Sequence, residues 1–356
     1  MVAPTTDLTK LGWDDSWREL AEAYAEDGEV GRVARVDKGV CTVMTSRGPV
    51  RASYGGRLLD EVAADSRSAP CTGDWCLLRT WPDGPTTLEI VLPRRTSVVR
   101  ADASGISRGQ VLVANLDLVA IVVALYPEPK MSRVERLVTL AWESGAKPVI
   151  VLTKADLVTD AALLADDIAA VAPGVEVVVC STATGEGLAS LRDILGEHAT
   201  IGLLGASGHG KSSLTNALVG AEVLATKRIR DDGKGRHTTV RRELIPLPGG
   251  GAVIDTPGLR GVGLHEAAEG MAATFPDVEG LAERCRFSDC RHTQEPGCAV
   301  REAVEDGLLS QRRLESWLRL KREMVWMATR TDARLRSEQR GKWKSVTKHQ
   351  RLHRRG

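Results

Sequence analysis

Aromatic residues are scarce in this 356-residue chain: two Phe, three Tyr and eight Trp make up 4% of it. A core with so few rings must rest on Val, Leu, Ile and Ala. Long hydrophobic runs are lacking too. The apolar stretch 116–126 is shorter than the roughly 18 residues that suggest a membrane span, and it contains Asp117. Residues 1–10 lack the basic-then-apolar layout of a secretion signal. These absences predict a cytoplasmic protein with no membrane partner. Net charge is nearly absent as well, at +1. Its distribution is uneven, however. Residues 310–356 hold 15 Lys/Arg against 4 Asp/Glu, which leaves 33 against 43 in the rest. Such asymmetry marks an electrostatic footprint at one end of the chain.

Periodicity divides what remains. A short amphipathic stretch at 17–24 predicts a helix. From Gly31 apolar and polar residues alternate through Val33, Val36, Val40, Thr42 and Met44, then 50–52, 75–78 and 88–92, between Gly, Pro and Asp turns. Five short strands in about 65 residues predict a small β-barrel, an OB-fold first and another compact β module otherwise. From about Arg100, near-continuous apolar runs at 118–125, 148–153, 175–180, 201–205, 244–247 and 252–255 appear. Helical stretches at 133–144, 160–170, 188–197 and 211–219 lie between several of them. That pattern predicts a mostly parallel sheet with helices on both faces. The chain thus divides into an extension plus barrel (1–98), an α/β domain (99–279) and a Cys/His-containing, helical, basic region (280–356).

Gly205-Ala206-Ser207-Gly208-His209-Gly210-Lys211-Ser212, with Ser213 next, fits G-x-x-x-x-G-K-[ST] between an apolar strand and a helix. The glycines let backbone N–H groups wrap phosphates, Lys211 reaches the β/γ oxygens, and Ser212 ligates Mg²⁺. Thr153-Lys154-Ala155-Asp156 resembles the N-K-x-D element of GTPases. There a carboxylate accepts guanine N1–H and the exocyclic amine, donors that adenine does not present. Thr153 in place of Asn predicts a weaker tie between this loop and the P-loop, with no change in the base read. Ser181-Thr182-Ala183, ahead of Gly185-Glu186-Gly187, resembles the loop whose backbone N–H meets guanine O6. Asp255-Thr256-Pro257-Gly258 resembles the D-x-x-G switch, whose Asp holds Mg²⁺ through water.

The order of these elements is transposed: Asp156 and Thr182 precede Lys211, and Asp255 comes last. A sheet survives such rewiring, because opening one surface connection and closing another leaves its layers unchanged. Movement of the Gly258 loop is then coupled directly to whatever follows it. Permuted order, a preceding β-barrel and a following metal cluster together resemble one family, the ribosome small subunit-dependent GTPases (RsgA/YjeQ). The likeness covers about residues 31–324. It rests on Gly73-Asp74-Trp75, Leu92-Pro93-Arg94-Arg95-Thr96, the P-loop, Gly233-Lys234-Gly235-Arg236-His237-Thr238-Thr239, the D-x-x-G switch and the cysteine cluster. It implies an N-terminal OB-fold, GTP hydrolysis to GDP, and late maturation of the small ribosomal subunit with its rRNA as partner. Departures are Thr153, Thr182 and His209, the last where a small apolar residue is usual.

The residue after D-x-x-G is often a Gln that orients water; here Leu259 cannot, which predicts slow turnover until a partner completes the site. The family register makes Thr239 the Mg²⁺ ligand beside Ser212 and Asp255, with Thr238 the alternative. His237 is the candidate for positioning water, and contact with RNA or solvent is its other reading. Cys285-x4-Cys290-x-His292-x5-Cys298 supplies a closed tetrahedral set suited to one structural zinc. Cys41, Cys71, Cys76 and Cys180 read as ordinary buried residues. In the tail, Arg and Lys interleave with Leu314, Trp317, Leu318, Met324, Val325 and Trp326, predicting a helix with an apolar stripe and a basic face. Trp343 among lysines favours RNA over a membrane surface. Nothing calls for more than a monomer. The competing functions are an RNA-binding scaffold with a structural nucleotide and a tRNA-acting GTPase.

Overall fold

The computed structural model describes residues 6–24, 28–82, 84–100, 109–224, 242–255 and 267–331. The chain enters through a 3-10 turn, Leu8–Leu11, and helix α1, Asp15–Glu22, which starts where the Asp14 carboxylate accepts the Trp17 N–H. Strands β1 (Glu29–Asp37), β2 (Val40–Thr45) and β3 (Gly48–Tyr54) precede helix α2 (Gly56–Ala64), and β4 (Trp75–Thr80) and β5 (Thr86–Val91) follow it. They close into a barrel in the order β1-β2-β3-β5-β4, with β3 and β5 parallel and the other neighbours antiparallel. This is the OB-type closure expected from strand spacing. Cys41 and Val43 fill its interior from β2, so the alternation runs one residue out of phase with Val40, Thr42 and Met44, which take the outer face.

A hairpin that the alternation did not disclose, β6 (Ser97–Arg100) with β7 (Gln110–Ala114), leads into the α/β unit. That unit runs β8 (Leu118–Ala124), α3 (Met131–Glu143), β9 (Lys147–Thr153), α4 (Ala161–Val171), β10 (Glu176–Val179), α5 (Leu188–Leu195), β11 (Thr200–Leu204), α6 (Lys211–Val219), β12 (Glu243–Pro246) and β13 (Ala252–Asp255). The sheet order is β10-β9-β8-β11-β13-β12, parallel except for the β12–β13 pair. Strand β8 is buried along its whole length. Leu118, Ala120 and Val122 face one core with leucines of α5 and α6, while Val119, Ile121 and Val123 face another with α3 and α4. Cover on both faces is why these strands read as unbroken apolar runs. The C-terminal ends of the five parallel strands share one edge, where ligands of open α/β sheets bind.

Helices α7 (Ala268–Thr274), α8 (Pro276–Ala282), α9 (Ala299–Glu305) and α10 (Gln311–Thr331) complete the described chain. Helix α7 lies directly on α3: the Thr139 hydroxyl meets that of Thr274 at 3.1 Å. A Cβ at Gly270 would stand 2.4 Å from the Thr139 carbonyl oxygen, so only glycine fits there. Helix α10 is fixed to the same helix by charge. Glu135, fully buried on α3, accepts Arg312 and Arg313. Arg313 also reaches Asp277 and the carbonyls of Val171 and Thr274. A buried carboxylate therefore draws Arg313 of the basic tail into the fold, while Arg312, 43% exposed, pairs with it from the surface. The apolar stripe runs through Leu314, Trp317 and Leu320, with Leu318 and Met324 half-buried against the same core, while Val325 and Trp326 are exposed. Among the described residues, no helix is long and apolar enough to cross a membrane.

Candidate nucleotide and metal sites

The P-loop leaves β11 at Gly205, whose φ is +156° and whose Cβ would lie 2.4 Å from the Val122 carbonyl oxygen. Glycine lets the loop turn against β8 without collision. The loop then passes into α6, whose N-cap is Gly210 and whose first turn has no side-chain cap. Uncapped N–H groups at a helix start favour an anion. Lys211 arches over the loop and donates to the carbonyls of Gly205 (3.0 Å) and Ala206 (2.9 Å). Ser207 and Gly208 are exposed at the loop crest, and Ser212 and Ser213 lie half-buried in the first turn of α6. One strand over, Asp255 ends β13 in register with Leu203 of β11 and is 7% exposed. This sets a carboxylate beside the P-loop strand.

Two strands to the other side, β9 ends in Thr153. Its hydroxyl donates to the His209 carbonyl at 2.7 Å. The two loops are thus tied through a hydroxyl at the end of a buried strand. His209 is accommodated by turning its ring under the loop, where Nδ1–H donates to the Val122 carbonyl at 3.1 Å. Burial pushes this imidazole below its usual pKa, against the pull of that carbonyl, so it is neutral near pH 7. Lys154 follows with φ +62°, a left-handed turn that brings Asp156 out at the sheet edge. The Ser181 hydroxyl, at the end of β10, donates to Asp156 Oδ1 at 2.5 Å and accepts the N–H groups of Ala183 and Thr184. One serine therefore fixes both the carboxylate and the turn holding Thr182.

Thr153, Lys154, Asp156, Ser181, Thr182, the whole P-loop and Asp255 therefore meet on one edge. Gly258, His237, Thr239 and its alternative Thr238 lie outside the described residues, as does Trp343.

The second cluster is built by the loops between α8 and α9. Cys285 Sγ stands 3.6 Å from His292 Nδ1 and 3.9 Å from Cys298 Sγ, and Cys298 Sγ stands 3.5 Å from the same nitrogen. All four ligand atoms, Cys290 included, lie within 4.8 Å of one another. Tetrahedral bonds of about 2.3 Å to sulfur and about 2.0 Å to nitrogen put neighbouring ligands about 3.5–3.8 Å apart, which these spacings match. Burial raises the Cys285 thiol, but hydrogen bonds from the Val300 and Ala299 N–H groups, with those to Cys298 and Cys290, together draw its pKa below the usual value. Sequence reading missed the backing of His292. The Trp317 ring packs edge-on to it at 5.3 Å, and the indole N–H is held by Glu279 at 2.8 Å. Helix α10 thereby braces the cluster.

Counted from the P-loop strand, the sheet order becomes 6-5-4-1-3-2, with the pair that follows the P-loop at one edge. A P-loop sheet joined through its second-switch strand to the C-terminal module, and through β8 to an OB-type barrel, is a circularly permuted P-loop GTPase. A family model described as RsgA GTPase matches residues 91–265. The chain is 48% identical to the small ribosomal subunit biogenesis GTPase RsgA of Streptomyces coelicolor, over 95% of this chain and 92% of that one. It is 40% identical to the protein of the same name from Opitutus terrae, over 97% of each. The chain belongs to the RsgA GTPase family. Among solved structures it resembles YjeQ from Thermotoga maritima, with a TM-score of 0.61 at 25% identity over 83% of this chain and 98% of that one. It shares its fold with YloQ, described as a circularly permuted GTPase, with a TM-score of 0.58 at 24% identity over 84% and 96%.

Proposed function

We propose that this chain binds GTP and GDP in the cytoplasm and uses GTP hydrolysis to control its grip on the small ribosomal subunit and its rRNA during late maturation. Lys211, Asp255 and Asp156 on one sheet edge carry the nucleotide half of this reading. The name borne by the Streptomyces relative supports the subunit half. In this reading Lys211 and the loop N–H groups hold the phosphates, the Asp156 carboxylate reads guanine, and the turn after Ser181 supplies a donor to its O6. Ser212, Asp255 and Thr239 (or Thr238) offer the hard oxygen ligands that suit Mg²⁺, which would neutralise phosphate charge when bound. Gly258 would bring the second switch to the γ-phosphate. The domains act as extension and barrel (1–98), GTPase (99–279) and metal module with basic tail (280–356), in a monomer.

His237 positions the attacking water once the subunit is engaged, a task Leu259 cannot perform. Removing a group used only in the transition state lowers kcat and leaves ground-state affinity alone. His237→Ala should bind GTP and the subunit normally while stimulated kcat falls by about 10²-fold or more. Single-turnover kinetics with saturating subunits measures this; undiminished stimulated turnover would assign the activating group to the RNA.

One zinc ion in the Cys285, Cys290, His292, Cys298 set provides folding stability that a short, ring-poor segment cannot draw from its own core. Elemental analysis should find about one equivalent per chain. Cys290→Ser should lose the metal and loosen α9 and α10 in hydrogen exchange, with GTP affinity retained. Metal-free wild type with a protected C-terminal module is the contrary result.

A further inference from the structure

Strand β8 loses one neighbour before it ends. Its pairing with β11 stops at Ile121, opposite Leu204, because β11 turns there into the P-loop. Pairing with β9 continues to Ala124. On the β9 side, the Leu125 N–H donates to the Thr153 carbonyl, and the Val123 carbonyl lies 3.5 Å from the Thr153 hydroxyl. Alternation along the strand then turns the Val122 carbonyl and the Ala124 N–H to the side that β11 has left. Buried backbone groups need partners, and the P-loop supplies one. His209 Nδ1 stands 3.1 Å from the Val122 oxygen and 3.4 Å from the Ala124 nitrogen. As Nδ1–H it donates to the carbonyl, the nearer of the two; the other tautomer would accept the N–H. Gly205 crosses the same oxygen, since a Cβ there would lie 2.4 Å from it. The first and fifth residues of the loop thus meet on one carbonyl of β8.

Thr153 is the other fastening. Its hydroxyl has one hydrogen and two carbonyls nearby, that of His209 at 2.7 Å and that of Val123 at 3.5 Å. The hydrogen goes to the nearer one. A threonine therefore holds the loop by a single bond, where the two N–H groups of an Asn amide could serve both oxygens. Thr153 and His209, both departures from the usual GTPase pattern, thus act on one loop residue. The first grips its backbone, and the second is its side chain. The ring's bond to β8 offsets what a lone hydroxyl cannot supply.

We propose that His209 is a positioning residue, and that it and Thr153 act as a pair that fixes the P-loop before phosphate arrives. This rests on the reading of the loop as a guanine-nucleotide site. A loop already held in place loses less freedom on binding, and such differences appear mostly in release rates.

Release of a fluorescent GDP derivative from the full chain, chased with unlabelled GDP in Mg²⁺, tests the pair. His209→Val should release it about three- to tenfold faster, the worth of one hydrogen bond. His209→Asn is also smaller than the imidazole, but its amide offers a donor and an acceptor close to where Nδ1 stood. Its release should stay within about twofold of wild type. In a Thr153→Asn background, His209→Val should cost less than about twofold, because the amide supplies the second fastening. A ring that only fills space predicts equal losses for Val and Asn, and a valine loss that Thr153→Asn does not reduce. Either result overturns the proposal, as does unchanged release from His209→Val. If His209→Val alone does not fold, the double variant decides against Thr153→Asn: matching rates support the pair, and release about threefold faster or more overturns it. Failure of the nucleotide reading itself shows elsewhere, in a wild type that binds no GDP.

Discussion

Asp156→Asn should convert a guanine-selective protein into a xanthine-selective one. Two charge-assisted hydrogen bonds to the base disappear, each worth about 1.5–3 kcal/mol. GTP affinity should therefore fall by about 10²- to 10⁴-fold, while xanthosine triphosphate, which presents an acceptor where guanine presents its amine, gains. The structure makes the test clean. The side-chain carbonyl oxygen that the substitution leaves at this position can still accept the Ser181 hydroxyl, which itself still receives the Ala183 and Thr184 N–H groups. Loop geometry is retained and only the readout changes. Competition binding of GTP, ATP and xanthosine triphosphate to both proteins checks this. Wild type with equal affinity for ATP and GTP, or a variant without altered preference, would remove Asp156 from base recognition.

Glu135→Ala should cost about 2–3 kcal/mol, less than the roughly 3–5 kcal/mol for a buried charge left with no partner, because Asp277 still pairs with Arg313. Its side chain is fully buried, and so is nearly all of Arg313, whose side chain is 5% exposed. The alanine leaves that guanidinium with Asp277 and two carbonyls but no carboxylate on the α3 side. Arg312→Ala is the control. It pairs with the same glutamate, but its side chain is 43% exposed, so water replaces the pair and the loss should stay below about 1 kcal/mol. Urea unfolding of the three proteins measures the difference. A Glu135→Ala protein within about 1 kcal/mol of wild type would mean that the clamp contributes little net stability. The location gives the result functional weight. Helix α7 lies between the second-switch segment and the metal module and packs on the same α3 that the clamp holds.

Much of this architecture was legible because the sheet is covered on both faces. Runs such as 118–125 and 148–153 need no partner to be read as strands, and the P-loop and Cys₃His patterns are local in sequence. The barrel was legible in its strands but not in the phase of β2, since Val40 and Met44 are as apolar as the inward Cys41 and Val43. The β6–β7 hairpin is hard to read because its four- and five-residue strands are too short to show a period and lie nine residues apart. Residue type alone predicts a weaker tie at Thr153. Its actual bond depends on where the His209 carbonyl falls, 56 positions along. Arg313 was counted as tail charge because Glu135 lies 178 positions away.

The central expectation is that GTP turnover by this chain is coupled to one ribosomal particle. GTP turnover by the wild-type protein should be measured alone and with purified small subunits, large subunits or tRNA. Turnover should be slow alone and rise by about 10³-fold or more with small subunits, as when a partner completes a GTPase site, with little change for the other two. Equal rates in all four conditions, or stimulation by tRNA or large subunits matching that by small subunits, would contradict it.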